Sequence, residues 1–318
     1  MTTSIAGLHH VTAIASDPQR NLDFYTNVLG LRFVKRTINF DDPGTYHFYF
    51  GDDTGTPGTI LTFFPWPGAR RGRPGAGEIS ATAFSIPAGS VEFWKARLRA
   101  NGLTFTQHLR FNANVLAFQD PDGMSLELVE HTQMHAGTAP RYSDVPAEYA
   151  IQGFFGVTLL LHSLEHSAAL LEVMGMKQIG QEGNRTRFAP EGEAFGRFLD
   201  IVVDARAPHA ASGAGSVHHI AFRTPDDASQ AAWRKILGPH ANVTTVQDRT
   251  YFRSIYFREP GGVLYEIATD IPGFLIDEPV ESLGEALRIP EWYEPRRRDI
   301  EAAVVPITLH KTAPEVTK

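Results

Sequence analysis

A unit of sequence that occurs four times constrains the fold of this chain more than any other feature. Each copy begins with a short apolar segment typical of a strand, continues into an amphipathic helical pattern and closes with β-rich sequence. The copies begin at Leu8, Ile79, Phe154 and Ser216. Because internal repetition decides architecture before local propensities do, we predict four copies of one supersecondary unit.

The first copy shows how a helix is encoded within the unit. Asp17 has the side chain of an N-cap, and Leu22, Tyr25 and Leu29 follow at the spacing of one helix face. Gly30 then stands where a helix would end. We therefore predict a strand, a helix and further strands in this copy and in the other three.

The second and fourth copies close with the same spacing. In one, the turn at residues 120–123 (DPDG) leads to Glu127, which stands six residues after the proline. In the other, residues 259–262 (EPGG) lead to Glu266, again six residues after the proline. A turn that feeds an alternating strand puts each glutamate at the same place on the pleat.

The chain divides near its middle. Residues 132–150 are rich in Thr, Pro, Ala and Tyr, which is typical of a linker. We therefore predict two units in residues 1–140, two units in residues 150–270, and a C-terminal extension at residues 271–318 with no fifth copy.

Composition limits the chemistry and the partners. The absence of cysteine from the 318 residues excludes disulfides, thiolate zinc sites, iron–sulfur clusters and cysteine nucleophiles, so any metal must be held by His, Asp or Glu. The formal net charge of -7 gives no electrostatic reason to bind nucleic acid. No apolar run has the roughly 18 to 20 residues of a membrane helix, and no secretory signal is visible. We expect a cytoplasmic protein that binds neither nucleic acid nor membrane.

Two adjacent histidine pairs stand at the heads of similar strands. HHVTAIASDP at residues 9–18 and HHIAFRTPDD at residues 218–227 share one pattern, in a chain with 13 histidines. A single strand histidine is more often satisfied by hydrogen bonds than bound to a metal. Two matched pairs, combined with a glutamate at a place defined by the repeat, favour a metal site.

Seven short motifs carry a resemblance to a known family. They are LHHVT, LGLRFVKRT, YHFYF, GTPGT, EGNRTRF, VHHIAF and PGGVLYE. In this order they resemble the vicinal oxygen chelate superfamily, which contains glyoxalases, bleomycin resistance proteins and extradiol dioxygenases. Within it they are similar to the hydroquinone ring-cleaving dioxygenases of the dichlorohydroquinone 1,2-dioxygenase type. The resemblance spans about residues 5–300. It implies an α+β fold of four βαβββ modules that form two curled-sheet cups, with a metal site in one cup, and it leaves homo-oligomer formation open.

The supply of metal ligands indicates which modules share a cup. Alignment of the modules gives one histidine position and one glutamate position in each. These positions hold His10 and Phe63 in module 1, Ala81 and Glu127 in module 2, neither ligand (Gly156 at the histidine position) in module 3, and His219 and Glu266 in module 4. Pairing neighbouring modules would leave one histidine and one glutamate in each cup, which is too few for a catalytic metal.

Pairing module 1 with module 4 assembles His10, His219 and Glu266. This is the two-histidine-one-carboxylate set of non-haem Fe(II) oxygenases, which leaves adjacent coordination positions open. The resemblance implies the same three ligands. Pairing module 2 with module 4 would give Glu127, His219 and Glu266 instead, an oxygen-richer set. Outside that alternative, Glu127 is interpreted as a hydrogen-bonding residue.

Only the second histidine of each pair is predicted to bind the metal. Adjacent residues of a strand point to opposite faces of a sheet, so one member of each pair faces away. The family pattern favours His10 and His219 as the ligands. By resemblance, His9 and His218 match positions that surround the ligands, which would require strong strand twist.

The ligand set predicts oxygen chemistry on an aromatic ring. Fe(II), or Mn(II) with the same ligand types, would hold a hydroquinone-type phenolate and O2 side by side with no organic cofactor, and O2 would enter the ring next to the coordinated oxygen. By resemblance, Thr12, Arg249 and Tyr256 match pocket positions, and Thr12 shares the strand face of His10. We predict that Tyr256 donates a proton and that Arg249 stabilises an anion.

Two other functions fit the same scaffold. A glyoxalase-type metal-dependent isomerase or lyase would need a second carboxylate in the cup as a base, and Phe63 stands at that position. A metal-free protein that sequesters aromatic ligands would have no reason to keep three potential ligands. A metal assay on protein purified without oxygen separates this last function from the enzymes.

Overall fold

Two curled sheets, flanked by short helices, make up most of the molecule. The computed structural model describes residues 5–131, 140 and 143–309. The predicted α+β class with four βαβββ modules is confirmed. Residues 132–139 and 141–142, most of the predicted linker, lie outside the described residues. None of the described helices is long and apolar enough to cross a membrane.

The four modules share one order of elements. Module 1 consists of β1 (Leu8–Ala15), α1 (Pro18–Asp23), β2 (Arg32–Asn39), β3 (Asp42–Gly51) and β4 (Ile60–Pro65). Module 2 consists of β5 (Glu78–Ile86), α2 (Val91–Ala100), β6 (Phe105–Arg110), β7 (Ala113–Gln119) and β8 (Ser125–Glu130). Module 3 consists of β9 (Gly153–Leu161), α3 (Glu165–Val173), β10 (Lys177–Glu182), β11 (Arg185–Ala189) and β12 (Phe198–Val203). Module 4 consists of β13 (Val217–Thr224), α4 (Asp227–Leu237), β14 (Gln247–Asp248), β15 (Phe252–Arg258) and β16 (Leu264–Pro272).

Each sheet takes its strands from two modules. One has the order β14-β15-β16-β13-β1-β4-β3-β2, so it joins module 1 to module 4, as the ligand supply predicted. We call it the histidine cup. The other has the order β10-β11-β12-β9-β5-β8-β7-β6 and joins module 2 to module 3. We call it the arginine cup, after the side chains that fill it.

Both cups have two β-bulges at the central antiparallel pair of strands. In the histidine cup, Leu8 and His10 face the consecutive residues Phe222 and Ala221, so His9 has no partner. His218 is unpaired in the same way between Val217 and His219. Ser80 and Phe155 are the corresponding unpaired residues of the arginine cup. The bulges are therefore a property of the module pair, and only one cup places histidines there.

Helices and closing turns join the two cups. Helix α1 begins at its predicted N-cap, where the Asp17 side chain accepts a hydrogen bond from the backbone of Arg20, and a π-helical turn at Phe24–Val28 follows it. Tyr25 in that turn donates a hydrogen bond of 3.0 Å to Asp120 in the closing turn of module 2. Ser167 of α3 donates one of 2.6 Å to Glu259 in the closing turn of module 4. Each cup thus anchors a helical segment of the other.

The C-terminal extension closes the interior of the histidine cup. It contains the short 3-10 helices Phe274–Ile276, Val280–Ser282 and Glu291–Arg296 and the helix α5 (Arg297–Ala303). Phe274 and Leu283 are buried in one apolar cluster with Tyr49, Tyr251 and Phe252 of the cup. We call residues 274–283 the plug. No periodicity in the sequence predicted this packing.

Candidate metal centre and its pocket

Three buried side chains converge inside the histidine cup. His10 lies on β1, His219 on β13 and Glu266 on β16, which are three adjacent strands. Their exposed fractions are 1%, 5% and 0%. Glu266 Oε2 lies 3.4 Å from His10 Nε2 and 2.9 Å from His219 Nε2, and one ligand atom from each residue lies within 4.8 Å of the others. The structure therefore brings together the three residues that the sequence predicted as ligands.

Strand register explains why they meet. The antiparallel pairing of β1 with β13 puts Thr12 opposite His219, and the parallel pairing of β13 with β16 puts Glu266 beside Ala221. Residues two apart on a strand share a face, so His219 and Ala221 face the same side. His10 shares that side with Thr12, and the three ligand groups meet there.

The Glu266 carboxylate is only partly satisfied by the protein. Ser254 Oγ donates a short hydrogen bond to Oε1. Oε2 is buried, and no described residue donates a well-formed hydrogen bond to it, although both imidazoles lie near. Burial alone would raise the pKa of Glu266, but His10 and His219 outweigh this effect and keep the pKa well below its ordinary value. An ionised carboxylate oxygen that faces two imidazole nitrogens is suited to bind a cation.

The prediction that strand alternation separates the members of each histidine pair is wrong. His9 and His218 are the unpaired residues of the two bulges, and a bulge re-aims the side chains around it. His9 Nδ1 lies 2.9 Å from His10 Nδ1, and His218 Nδ1 lies 2.8 Å from His219 Nδ1. Each predicted ligand therefore has its Nδ1 occupied by its neighbour, which leaves Nε2 for a metal.

The first histidines of the two pairs lie in different surroundings. His9 is buried, and its ring centroid lies 5.1 Å from that of Phe252. His218 faces the pocket beside Phe64, with 5.8 Å between ring centroids. Burial lowers the pKa of His9 well below its ordinary value, and partial desolvation in the pocket wall, together with the neighbouring His219, lowers the pKa of the more exposed His218 to about 4. Both imidazoles are therefore neutral near pH 7.

A cavity of about 510 Å³ contains the two predicted histidine ligands in its wall. Its aromatic lining consists of Phe40, Tyr49, Phe64, Trp66, Phe252 and Tyr256. Its polar lining consists of Asn39, Asp41, Asp42, His47, His218, Thr244, Gln247 and Arg249. Aromatic rings beside convergent polar groups are suited to hold a small aromatic molecule that carries hydroxyl groups.

Tyr256 and Arg249 lie in this pocket, as predicted. Tyr256 is paired with Glu266 across β15 and β16, and its ring centroid lies 5.7 Å from that of His219. Arg249 Nε donates a hydrogen bond of 3.1 Å to the Tyr256 hydroxyl. Burial, reinforced by the charge of Glu266, raises the pKa of Tyr256 above its ordinary value. The phenol therefore keeps its proton, and that proton is not needed for the bond to Arg249.

Thr12 belongs to a buried row of hydrogen bonds rather than to the pocket wall. Thr62 Oγ1 donates to Thr12 Oγ1 at 2.8 Å, and His47 lies between Thr62 and Tyr49 at 2.9 Å from each hydroxyl. His47 and Tyr49 line the pocket, and the sequence reasoning missed both. The signal was present in the motif YHFYF, where the two residues alternate on one strand face.

Strand pairing corrects two positions in the ligand inventory. The residue of module 1 that corresponds to Glu266 is Thr62, which pairs with Thr12, whereas Phe63 lies in the core. Module 3 does carry a carboxylate at this position, because Asp200 pairs with Thr158 as Thr62 pairs with Thr12. Counting from proline selected Phe63 instead of Thr62 in module 1, and no carboxylate was recognised in module 3, because the loops before β4 and β12 differ from the Pro-x-Gly turns of modules 2 and 4.

The arginine cup has no histidines at the corresponding positions. Ala81 and Gly156 stand where His219 and His10 stand in the other cup. A Cβ on Gly156 would overlap the backbone oxygen of Phe198, so this position excludes every side chain. Arg110 binds Glu127 through two hydrogen bonds of 2.6 and 2.8 Å, and Arg185 and Arg187 bind Asp200. Glu127 lies in a different sheet from Glu266, and the alternative ligand set containing it does not form.

Comparisons with known proteins agree with this geometry. Residues 7–128 match the family described as Glyoxalase/Bleomycin resistance protein/Dioxygenase superfamily. The chain is 45% identical to the protein named "Putative ring-cleaving dioxygenase MhqO" of Bacillus subtilis (strain 168) over 98% of this chain and 99% of that protein. It is 35% identical to "Chlorohydroquinone/hydroquinone 1,2-dioxygenase" of Sphingobium indicum over 90% of this chain and 91% of that protein. A crystal structure described as a putative dioxygenase from Bacillus subtilis superposes with a TM-score of 0.93 at 45% identity and covers 97% of this chain and 99% of that chain.

Proposed function

The chain belongs to the Glyoxalase/Bleomycin resistance protein/Dioxygenase superfamily, and on that basis we propose that it is a ring-cleaving dioxygenase that uses Fe(II) to open hydroquinone-type aromatic rings. The observation that carries the proposal is the convergence of His10, His219 and Glu266 at an aromatic cavity. The named activities of the relatives at 45% and 35% identity support the same reaction class.

The three residues fit a hexacoordinate metal that keeps open positions. Two neutral imidazoles and one carboxylate would leave Fe(II), or Mn(II), with a net charge near +1 and room for two further molecules. When bound, the metal would supply adjacent coordination sites for a phenolate and O2 and a path for electrons from the ring to O2. The unsatisfied Oε2 of Glu266 supports this assignment, because a buried carboxylate oxygen without a donor is costly unless a cation binds it.

The first histidine of each pair would fix the tautomer of the second. A histidine that binds a metal through Nε2 carries its proton on Nδ1, and that proton needs an acceptor. The short Nδ1 to Nδ1 distances make His9 and His218 the acceptors, each with its own proton on Nε2. In other metal sites a carboxylate or a backbone carbonyl accepts this proton. Here the first histidine of each pair would accept it, and this role would account for the adjacent pairs.

Tyr256 and Arg249 would handle proton and charge on the far side of the ring. The raised pKa of Tyr256 keeps a proton available for an oxygen that becomes basic during ring opening. Arg249 holds the hydroxyl oxygen of Tyr256 in place through its Nε hydrogen bond and adds a positive charge beside that oxygen. An anionic oxygen formed next to these residues would therefore be stabilised.

Position 62 argues against the isomerase alternative. A glyoxalase-type mechanism needs a second carboxylate as base in the same cup, and Thr62 occupies the position that corresponds to Glu266 in the other half. Its hydroxyl is already engaged with Thr12 and His47. Asp41, between β2 and β3, and Asp42, the first residue of β3, also line the pocket, but Asp41 is paired with Arg249 and Asp42 accepts hydrogen bonds from Thr45 and Trp66.

The proposal is tested by oxygen uptake on reconstituted protein. Protein purified without oxygen, loaded with Fe(II) and mixed with hydroquinone, is expected to consume one O2 per ring opened when air is admitted. Parallel samples with Mn(II), with no metal and with catechol separate the metal and substrate claims. Ring opening without added or bound metal would remove the metal assignment, and a strong preference for catechol would overturn the hydroquinone assignment.

A further inference from the structure

The turn between β14 and β15 of module 4 delivers two residues, Arg249 and Phe252, to the pocket. In module 2 the strands β6 and β7 are joined by a two-residue turn, since Arg110 pairs with Ala113. In module 4 the same register pairs Asp248 with Arg253, and Arg249 N donates a hydrogen bond to Phe252 O, so Arg249 stands at the position of Arg110 and only residues 250 and 251 lie between Arg249 and Phe252. Arg249 reaches Tyr256, and Phe252 packs against His10 with 4.9 Å between ring centroids.

This turn has an unfavourable backbone at its centre. Thr250 has φ of 69°, a left-handed conformation that a β-branched residue rarely adopts. Within the turn, Arg249 N donates to Phe252 O at 3.0 Å and Thr250 N donates to Asp248 Oδ1 at 2.7 Å. A conformation of this kind persists only when surrounding contacts stabilise it. Contacts from outside the turn are therefore needed to stabilise Thr250 in this conformation.

The contacts come from the plug and the residues just before it. Gly273 N donates a hydrogen bond of 2.9 Å to Tyr251 O. The Tyr251 hydroxyl donates one of 3.0 Å to Asp277 Oδ2. The Tyr251 and Phe274 rings stack with 4.9 Å between centroids. Backbone, hydroxyl and ring of Tyr251 are therefore all held by residues 273–277.

A buried ion cluster fixes Asp277 in turn. Lys35 on β2 has an exposed fraction of 0%, and its Nζ lies 2.7 Å from Asp277 Oδ1 and in direct contact with Glu278. The same ammonium group lies 4.9 Å from the Tyr251 ring centroid. A buried ammonium group without counter-charges would be strongly unfavourable, so Lys35 holds this part of the extension against the cup.

We propose that Tyr251 and Asp277 are positioning residues that place Arg249 in the active site. The plug would thereby act on the reaction through the turn at residues 249–252, without contacting substrate. The catalytic part of this inference rests on the proposed function, because it takes Arg249 as a residue of the ring-opening site. The structural part, that the plug holds the turn, is independent of it.

The kinetic test is a double-mutant cycle between Tyr251→Phe and Arg249→Gln. Tyr251→Phe removes one hydroxyl group and is expected to lower kcat/KM by on the order of fivefold to tenfold, the loss of one hydrogen bond. In the Arg249→Gln background the same substitution should change kcat/KM less than twofold, because it acts through Arg249. Its effect on Tm should be equal in both backgrounds. Independent, multiplicative effects on kcat/KM would overturn the proposal.

Tyr25→Phe is a matched control for the loss of the hydroxyl. Tyr25 donates to Asp120 at 3.0 Å, as Tyr251 does to Asp277, but it lies between the cups and away from the pocket. Tyr25→Phe is expected to lower Tm and to leave kcat/KM within twofold of the wild type. An equal loss of kcat/KM in both variants would show that Tyr251 acts only through general stability.

Hydrogen exchange tests the structural part without substrate. The peptide that spans residues 249–253 is expected to exchange at least threefold faster in Tyr251→Phe than in the wild type, and to be unchanged in Tyr25→Phe. Unchanged exchange in Tyr251→Phe would overturn the positioning role. If the wild type opens no ring while exchange rises as expected, the proposed function fails and the role of the plug in holding the turn stands.

Discussion

The two cups share strand order, register and bulges, yet only the histidine cup brings together described side chains that could bind a metal ion. In the histidine cup, the positions nearest the centre hold His10, His219 and Glu266 and leave one carboxylate oxygen without a hydrogen-bond donor. In the arginine cup, Arg110 and Arg187 neutralise Glu127 and Asp200. The fold therefore supplies equivalent positions in both cups. The residues at these positions determine whether the carboxylates are available to a metal ion or are paired with arginine side chains.

Small side chains make the arginine network possible. Ala117 stands in the arginine cup at the position of Tyr256, because it pairs with Glu127 as Tyr256 pairs with Glu266. Together with Ala81 and Gly156 it leaves space that long guanidinium groups occupy. Arg187 also lies over three rings, those of Phe111, Phe155 and Phe198, at 4.1, 5.2 and 4.9 Å from their centroids. The histidine cup has a pocket of about 510 Å³ lined by His10 and His219, whereas the arginine cup has a smaller cavity of about 310 Å³ lined by Ala81, Ala117 and Arg185.

The largest expected difference between the cups is in metal binding. His10→Ala, His219→Ala and Glu266→Ala should each remove bound iron and lower the rate of ring opening by on the order of 1000-fold or more, about 4 kcal/mol. Glu127→Gln, at the corresponding position of the arginine cup, should retain iron. Metal analysis after anaerobic loading, with circular dichroism as a check on folding, measures both. A triad variant with normal iron content would not support that residue as a ligand.

Removal of a carboxylate from the arginine cup should affect stability instead. Asp200→Ala leaves Arg187, which is 6% exposed, without its carboxylate partner. An uncompensated buried charge costs about 3 to 5 kcal/mol of unfolding free energy. Urea denaturation should show this loss, and kcat per folded, iron-loaded molecule should stay unchanged. A fall in kcat without a fall in stability would assign the second cup a part in the reaction.

The closing turn of module 2, in the arginine cup, should make the unfolding free energy depend on pH. Burial raises the pKa of Asp120 to about 6, so between about pH 4 and pH 6 the folded protein binds a proton that the unfolded chain has lost. The unfolding free energy therefore falls as pH rises through this interval, by about 2 to 3 kcal/mol. Asn in its place keeps an oxygen for the backbone amides of Asp122 and Met124 but does not ionise.

Denaturation of the wild type and Asp120→Asn at pH 4 and pH 7 measures this difference. The wild type should be relatively more stable at pH 4, and the gap should move in favour of Asp120→Asn as pH rises. Glu259→Gln, in the other closing turn, serves as the comparison. A gap between wild type and Asp120→Asn that does not depend on pH would contradict the assignment.

The smallest expected effect concerns the proton at the pocket. Tyr256→Phe should retain iron and lower kcat by on the order of tenfold, about 1.4 kcal/mol, because phenylalanine has no hydroxyl group that could donate a proton. The corresponding residue of the arginine cup is Ala117, which has no hydroxyl group. Metal analysis and steady-state rates measure the two outcomes, and an unchanged rate would exclude Tyr256 as the proton donor.

The fold and the pairing of modules could be predicted because the copies of the repeat, and the potential metal ligands in each copy, can be counted in the sequence. Within the two-module cups that the resemblance implied, ligand supply placed module 1 beside module 4, and the structure has that pairing. The surroundings of the predicted ligands could not be predicted in the same way. Bulges depend on the partner strand, so nothing local to His9 or His218 indicates that each lies against its neighbour.

Positions at variable loops were also beyond prediction. Thr62 and Asp200 follow loops of different length from the Pro-x-Gly turns, so counting from proline missed both by register. The plug has no repeat and no periodic pattern, and its contact between Asp277 and Lys35 joins residues that are 242 positions apart. Local sequence signals carry no information about such a contact.

The sheet order also decides when each cup can form as the chain is synthesised. Strands β5 to β12 are contiguous, so the arginine cup has all its strands once residue 203 has left the ribosome. Module 1 emerges first but must wait for β13 at residue 217 and for the plug at residue 274, with the edge of β1 unpaired in the meantime. The module made first of the four is thus paired last, and His10, His219 and Glu266 can meet only after β16 has been synthesised.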